Sequence, residues 1–266
     1  MSSNILALPA FRKQVLLHTA VRFQGFLGLL IVFLLGVALA PVKDETNLFL
    51  DVTNQMNILR YVAETGIIAI GMTLVILVGE IDLSVGAVLA FGATLTAYLL
   101  TTTQIGTVLT LILVLVSGAA FGLVNGAVSS AFRIPSFVVT LAMMSFARGL
   151  ARLVFGGVAI PLLAISQGGA APENAFFVNL RLGGVLPVPA LLMFGVAIVA
   201  SLALRYTPFG RHVYAVGGNP VAAHLSGVRV EFTKVLVFAL CGVLTALAAF
   251  VHAIQLNQGA PNDGFA

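Results

Sequence analysis

Long apolar stretches separated by short polar segments make up most of the chain. Seven stretches approach 20 residues, at about 24–41, 62–79, 84–101, 107–130, 136–154, 187–204 and 235–254. A helix of about 20 residues crosses a hydrocarbon core that is about 30 Å thick. Because lipid offers no hydrogen-bond partners to the backbone, each stretch is expected to be helical. The pattern therefore predicts an all-α integral membrane protein, a polytopic bundle of about seven transmembrane helices.

The fifth stretch and the residues after it fit this pattern least well. The stretch contains Arg148 and Arg152, and the apolar segment 153–165 that follows is interrupted by two glycines and Pro161. This segment is too short to cross a membrane, which favours a re-entrant or interfacial piece.

The composition supports a membrane protein. Hydrophobic residues make up 60 % of the chain and charged residues only 8 %, whereas a soluble domain has about 25 % charged residues. The net charge of +4 comes from basic residues scattered along the chain. Such residues are better explained by orientation in the lipid bilayer than by nucleic-acid binding, so no nucleic acid is expected as a partner.

Lysine and arginine positions predict the orientation. With the N-terminus in the cytoplasm, the inner segments hold eight basic residues and the outer segments hold five. This orientation predicts a cytoplasmic N-terminal segment at 1–23, a membrane domain at 24–254 and a cytoplasmic loop at 205–234 within that domain.

Two acidic residues lie in "GEIDLSVGA" (79–87), between two apolar runs that are each long enough to span once. We expect a tight turn here, with Asp82 capping the next helix by accepting a backbone N–H bond from Ser84 or Val85. Glu80 lies at the end of the preceding helix, where the helix dipole disfavours an anion, and should need a basic partner or water. A direct role of either acid in transport or coupling is the alternative.

The fourth stretch contains "GAAFGLVNG", in which Gly118, Gly122 and Gly126 share one helix face. Small residues at this spacing allow two helix backbones to approach closely, which predicts a packing seam, with sliding along it as a further expectation. Asn125 lies beside the seam. It either forms a hydrogen bond between helices or lines a polar pathway.

The cytoplasmic loop has the signals of a short helix. Asn219 is a favoured N-cap, Pro220 a favoured first residue, and Gly227 can end the helix in the left-handed conformation. We interpret Gly217 and Gly218 as a sharp turn before this helix. Two further residues, Ala222 and Ala223, make it slim enough to lie in a groove, either on a partner or on the protein's own underside.

Enzyme signatures are absent from the sequence. There is no G-x-x-x-x-G-K-[ST], H-E-x-x-H or G-x-S-x-G pattern. The four histidines are scattered and are interpreted as solvated or snorkelling side chains. We therefore expect no catalytic residues, no metal site and no cofactor, and an intramembrane enzyme is disfavoured.

Three segments together resemble a known family: "GMTLVILVGEIDLSVGA" (71–87), "NGAVSSAFRIPSFVVTLAMMSFARGL" (125–150) and "TPFGRHVYAVGGNPVAAHLSGVRVEFTK" (207–234). They are similar to the permease subunit of bacterial sugar ATP-binding-cassette (ABC) importers, in the ribose, xylose, arabinose and rhamnose branch. Family members usually continue for several more spans. The resemblance therefore implies that the chain is truncated, relative to the family, at its C-terminal segment 255–266.

The resemblance implies a transport subunit in the bacterial inner membrane. Its expected partners are a cytoplasmic ABC ATPase, a periplasmic sugar-binding protein that delivers a monosaccharide, and a second permease copy or homologue. It also implies that the loop helix is a coupling helix, with coupling residues Arg211, Gly217, Gly218, Asn219, Pro220, Ala222, Ala223 and Gly227. The alternative is an ion- or proton-coupled secondary transporter of a small polar solute, with Glu80 and Asp82 as its ion site.

Overall fold

The computed structural model describes residues 26–43, 46–103, 105–162, 181–182 and 186–264, and the expected N-terminal segment 1–23 lies outside them. Residues up to Met56 form a first compact unit. It contains helix α1 (Phe26–Leu39), a hairpin of two-residue strands β1 (Val42–Lys43) and β2 (Thr46–Asn47), and the start of helix α2 (Val52–Leu77).

The start of α2 lies about ten residues before the predicted span. The Asp51 carboxylate accepts hydrogen bonds from the backbone N–H groups of Thr53 and Asn54, at 2.7 and 3.1 Å. This N-cap lets the helix begin within a polar segment, ahead of the apolar run that marked the span in the sequence.

The second unit begins at Asn57 and contains the remaining elements. Its helices after α2 are α3 (Val85–Tyr98, continued by a π-helical turn Leu99–Thr103), α4 (Thr107–Phe132), α5 (Ser136–Phe155), α6 (Val188–Tyr206), α7 (Pro208–Gly218), α8 (Pro220–Leu225) and α9 (Val230–Leu256). Its short strands are β3 (Ile160–Pro161), β4 (Arg181–Leu182), β5 (Leu186–Pro187) and β6 (Gln258–Gly259). Strand β3 pairs antiparallel with β6, and β4 with β5.

Six helices of the described chain are long and apolar enough to cross a membrane, which confirms the all-α polytopic fold class. The predicted number of seven is approximately right. The first predicted span corresponds to α1, which falls short of that length within the described residues. The fifth predicted span, despite Arg148 and Arg152, is helix α5.

Helix α3 lies at the centre of the second unit, packed against α4, α5 and α9. Ten of its residues are buried, most of them Ala, Gly or Thr. Small side chains let three neighbouring helices approach one axis, and the buried Thr94 and Thr96 hydroxyls donate to carbonyls one turn back, each at 2.7 Å. A helix that is apolar on all sides is a helix enclosed by others, as observed here.

The apolar segment after α5 was predicted to be re-entrant or interfacial. After the end of α5, its described residues form a turn and then strand β3. This strand pairs with β6, which follows α9 in the sequence. Residues 163–165 of that segment lie outside the described residues.

The segment 205–234, which was predicted to be a cytoplasmic loop, is more helical than its sequence signals indicated. Gly217 and Gly218 were predicted to form a sharp turn, but they are the last residues of α7. This helix forms because Thr207 caps it, Pro208 occupies its first position, and Val213 and Val216 are buried on one face.

Candidate functional site

Helix α2 ends at the acidic segment. Gly79 has a φ of 79°, and the N–H groups of Gly79 and Glu80 donate to the carbonyls of Ile76 and Val75 at 3.0 and 3.1 Å. This is a left-handed helix end, which glycine adopts without steric cost. Residues 80–84 then run in non-helical backbone to the start of α3.

Asp82 is buried at this connection, with only 4 % of its surface exposed. Its Oδ1 accepts hydrogen bonds from the Ser84 backbone N–H at 2.8 Å and from the Ser84 hydroxyl at 2.6 Å. Burial raises the pKa of the Asp82 carboxyl above its ordinary value, and hydrogen bonds from Ser84 and Asn125 partly offset this rise. Because Ser84 immediately precedes α3, Asp82 fixes the backbone at the start of that helix.

Asn125 of α4 extends this hydrogen-bonded chain. Its Nδ2 donates to the Ser84 hydroxyl at 3.0 Å, while its buried Oδ1 has no hydrogen-bond partner in the described part of the chain. The structure thus brings together Asp82, Ser84 and Asn125, three of the residues singled out in the sequence. A buried acceptor without a partner carries a desolvation cost.

Two hydroxyl side chains of helix α5 accept hydrogen bonds from the backbone of the same segment. The N–H of Ile81 donates to the Ser136 hydroxyl and that of Leu83 to the Thr140 hydroxyl, both at 3.1 Å. These two partners were not predicted, because hydroxyl residues near a helix start have many local uses.

Glu80 forms an ion pair and hydrogen bond with Lys234 near the start of α9. Only 13 % of the Glu80 side chain and 24 % of the Lys234 side chain are exposed. This is the kind of basic partner that the position of Glu80 at a helix end calls for. Lys234 was missed, although both residues fall on the cytoplasmic side of the predicted orientation.

The three seam glycines of α4 lie against the backbone of α9. A Cβ atom added to Gly122 would be 2.1 Å from the Phe238 carbonyl oxygen, and one added to Gly118 would be 2.3 Å from that of Gly242. For Gly126 the nearest atom is the Cα of Val235, at 2.6 Å. These distances leave no room for a side chain, so the two helices are in backbone contact along this face.

Helix α8 is capped at both ends. Asn219 Oδ1 accepts from the Ala222 N–H at 3.0 Å, and Pro220 occupies the first helical position. At the other end Gly227 has a φ of 86°, and its N–H donates to the His224 carbonyl at 2.9 Å. Six residues would not hold a helix alone in water, so these caps and a docking surface must stabilise α8.

Of the two surfaces on which the alanines of α8 were expected to let it lie, a partner or the protein's own underside, Ala223 lies on its own chain. Ala223 is buried in a cluster that also contains Val78 and Val230 of its own chain, because its side of α8 lies against α7 and α9. Ala222 is exposed. The apolar side chains that α8 presents outward are Val221 and Leu225, which are 68 % and 83 % exposed.

Helix α7 connects α8 to the acidic segment. A Cβ atom added to Gly217 would lie 1.8 Å from the carbonyl oxygen of Leu77, the last residue of α2. Gly218 has open space around it. Arg211 lies on α7, where it lines a groove against α2 and α6, and so does not belong to the face of α8.

His252 contradicts the prediction of solvated or snorkelling histidines. Only 14 % of its side chain is exposed, its Nδ1 lies 2.8 Å from Glu64 Oε2, and its Nε2 lies 3.3 Å from Asp263 Oδ2. The two carboxylates contact opposite ring nitrogens, so the three groups do not converge on one point. In the residues that the structure describes, no group of three His, Cys, Asp or Glu side chains suits a metal ion.

The chain is similar to several known proteins. Residues 54–266 match the family described as the permease component of the branched-chain amino acid transport system. The ribose import permease protein of Bacillus subtilis is 38 % identical over 239 residues, which cover 90 % of this chain and 70 % of that protein.

Two further relatives extend the comparison. An inner membrane ABC transporter permease protein of Escherichia coli is 38 % identical, over 76 % of this chain and 60 % of its own. The xylose transport system permease protein of Haemophilus influenzae is 29 % identical, over 92 % of this chain and 79 % of its own. The chain thus spans between 60 and 79 % of the length of these three relatives. No solved structure matches it.

Proposed function

Because the chain belongs to the family of permease components of the branched-chain amino acid transport system type, we propose that it is the membrane-spanning subunit of an ABC importer for a monosaccharide. The six helices of its described residues that are long enough to span, together with its bacterial relatives, make it a multi-pass protein of the inner membrane. The sugar is inferred from the relatives, which include ribose and xylose permeases.

The polar interior supports a neutral solute. The buried polar residues of the described helices are mostly Thr and Ser, together with Asn125. The acidic segment holds two acids. Glu80 forms an ion pair with Lys234, and Asp82 accepts two hydrogen bonds from Ser84. An ion-coupled carrier needs an acid that can exchange its ion, so these contacts and the family favour the importer subunit over that alternative.

The proposal assigns ATP hydrolysis to a partner. A cytoplasmic ATPase docks on the outer face of α8, a periplasmic sugar-binding protein delivers the solute to the opposite side, and a second permease copy or homologue completes the pathway. This division of labour accords with the lack of a phosphate-binding loop pattern in the sequence.

Contacts within the chain support a route from the ATPase to the spans. Displacement of α8 is passed to α7, whose Gly217 lies against the last carbonyl of α2. The acidic segment follows directly, and its Glu80–Lys234 ion pair connects it to α9. Helix α9 in turn contacts α4 along the glycine seam, where small side chains permit sliding.

The observation that carries the proposal is the two-sided character of α8. Its inner face packs on its own chain through Ala223, while Val221 and Leu225 are exposed, in the segment predicted to lie in the cytoplasm. Exposed apolar side chains on a capped helix are typical of a protein interface.

The test replaces Leu225 by Gln and measures ATP-driven uptake in proteoliposomes with the ATPase and the binding protein. Burying a leucine contributes roughly 1.5–3 kcal/mol, so uptake and ATPase stimulation should fall about tenfold or more. Leu153→Gln is the matched control, because Leu153 is also 83 % exposed but lies at the end of α5. Unchanged coupling in the Leu225 variant would refute the docking of the ATPase on α8.

A further inference from the structure

An apolar groove of about 580 Å³ lies between α2, α6 and α9. Leu74 and Leu240 form one wall, and α6 forms the other with Gly195, Val196 and Val199. Among the six described helices that are long enough to span, α6 is the least buried, so the groove opens to the outside of the described part of the chain. Lipid acyl chains surround such a face in a membrane.

A basic mouth adjoins this groove. The groove shares Leu74 and Ala200 with a second cavity of about 650 Å³, which is lined by Arg205, Arg211 and Tyr214. Both arginines are exposed, and no described carboxylate lies within ion-pair distance of either. The Arg205 guanidinium lies over the Tyr206 ring, 5.3 Å from its centroid. The mouth therefore has two positive charges that lack a described carboxylate partner and can bind an anion.

The dimensions match one leaflet of a bilayer. Arg205 lies in the last turn of α6 and Gly195 lies ten residues earlier, which corresponds to about 15 Å of helix rise. Half of a hydrocarbon core of about 30 Å is the same length. The two arginines also lie on the side of the membrane that the distribution of basic residues assigns to the cytoplasm, at the height of the lipid headgroups.

We propose that this groove binds one anionic phospholipid, with its phosphate between Arg205 and Arg211 and an acyl chain along α6 as far as Gly195. Basic pockets between membrane helices on the cytoplasmic side bind acidic headgroups. A second copy of the chain docked symmetrically would bring the same arginines near each other, which disfavours it as the occupant. The inference is independent of the transport proposal, since it requires only that the helices span a membrane.

The headgroup is tested by native mass spectrometry of the full chain in neutral detergent. Delipidated protein is titrated with phosphatidylglycerol or phosphatidylcholine that carry the same acyl chains. We expect a preference for phosphatidylglycerol of about fivefold or more, which Arg205→Gln with Arg211→Gln abolishes. Arg229→Gln, at an exposed arginine outside the groove, should keep the preference. Equal loss in this control would overturn the proposal, because it would indicate only general surface charge.

The acyl chain is tested by filling the groove. Gly195 has open space around it, so Gly195→Leu should fold, project into the groove and weaken the binding of both lipids. Gly149→Leu on α5 is the matched control, since its surroundings are equally open. Circular dichroism checks that each variant is folded.

Two outcomes would contradict the lipid as occupant. Inorganic phosphate at the same concentration should neither bind nor displace the lipid, and displacement would assign the site to a free anion. Lipid-independent dimers that Gly195→Leu disrupts would assign the groove to a second copy of the chain.

Discussion

At the scale of single residues, the two acids between the first long spans have separate structural roles. Asp82 is an internal acceptor for both donors of Ser84, and Glu80 is neutralised by Lys234. Neither acid faces the surroundings as a free charge. This explains how a segment flanked by apolar runs can hold two carboxylates.

Replacement of Asp82 separates hydrogen bonding from charge. Asp82→Asn keeps an acceptor for Ser84 and should leave the stability close to that of the wild type. Asp82→Leu leaves the buried Ser84 donors without a partner and should lower the free energy of unfolding by about 1–3 kcal/mol. Denaturant unfolding in detergent micelles measures the difference. Equal stability of the two variants would argue against the Asp82–Ser84 contact as a structural element.

The pH dependence of the same variants follows from the raised pKa of Asp82. The folded protein holds this proton more tightly than the unfolded chain does. Stability should therefore decrease as the pH rises from the ordinary aspartate range through the raised pKa. Asp82→Asn should remove this part of the slope. An identical pH profile in wild type and variant would contradict the burial of an ionisable carboxyl.

At the scale of elements, two close contacts stand out: the contact between α4 and α9, and the packing of α8 on its own chain. The first contact requires that Gly122 has no side chain, and the second requires that the side chain of Ala223 is very small. The glycine allows backbone contact between two spans, and the alanine allows a six-residue helix to lie against α7 and α9.

Gly122→Ala tests the seam. The new methyl group would meet the Phe238 carbonyl, so overpacking should lower the free energy of unfolding by about 1–3 kcal/mol. The matched variant Gly149→Ala has open space and should be neutral or slightly stabilising, because alanine favours helices over glycine by about 1 kcal/mol. Thermal unfolding compares the two. Similar melting temperatures would rule out backbone contact at Gly122.

The two alanines of α8 should respond differently to enlargement. Ala223→Leu should loosen α8 in the isolated subunit, which hydrogen exchange of residues 219–227 would detect as faster exchange. Ala222→Leu points away from its own chain and should leave that exchange unchanged while it reduces ATPase coupling several-fold. Full coupling with Ala222→Leu would exclude this position from the partner interface.

At the scale of the whole molecule, the proposed machine takes its energy from ATP. In proteoliposomes with a constant internal ATP concentration, a protonophore should leave solute uptake unchanged within about twofold, because an importer driven by ATP does not draw on the proton gradient. Omission of ATP should abolish uptake. Collapse of uptake on addition of the protonophore would instead support the secondary transporter.

Much of the fold was predictable because lipid allows few alternatives. Apolar runs of about 20 residues must form helices there, so the spans of α3 to α6 and α9 follow from the sequence. Local signals also predicted helix α8, through Asn219, Pro220 and Gly227. Helix α7 was missed, because its cap at Thr207 and its two buried valines are a weaker pattern than an apolar run.

The sequence by itself determined that this chain is a helical membrane protein, where most of its long apolar helices lie, and which family it resembles, because these depend on composition and short-range pattern. Only the tertiary structure decided the partners: Lys234 for Glu80, Ser136 and Thr140 for the acidic segment, and Glu64 with Asp263 for His252. Such contacts join residues far apart in the chain, and side-chain chemistry alone does not specify which of several possible partners packing brings within hydrogen-bond distance.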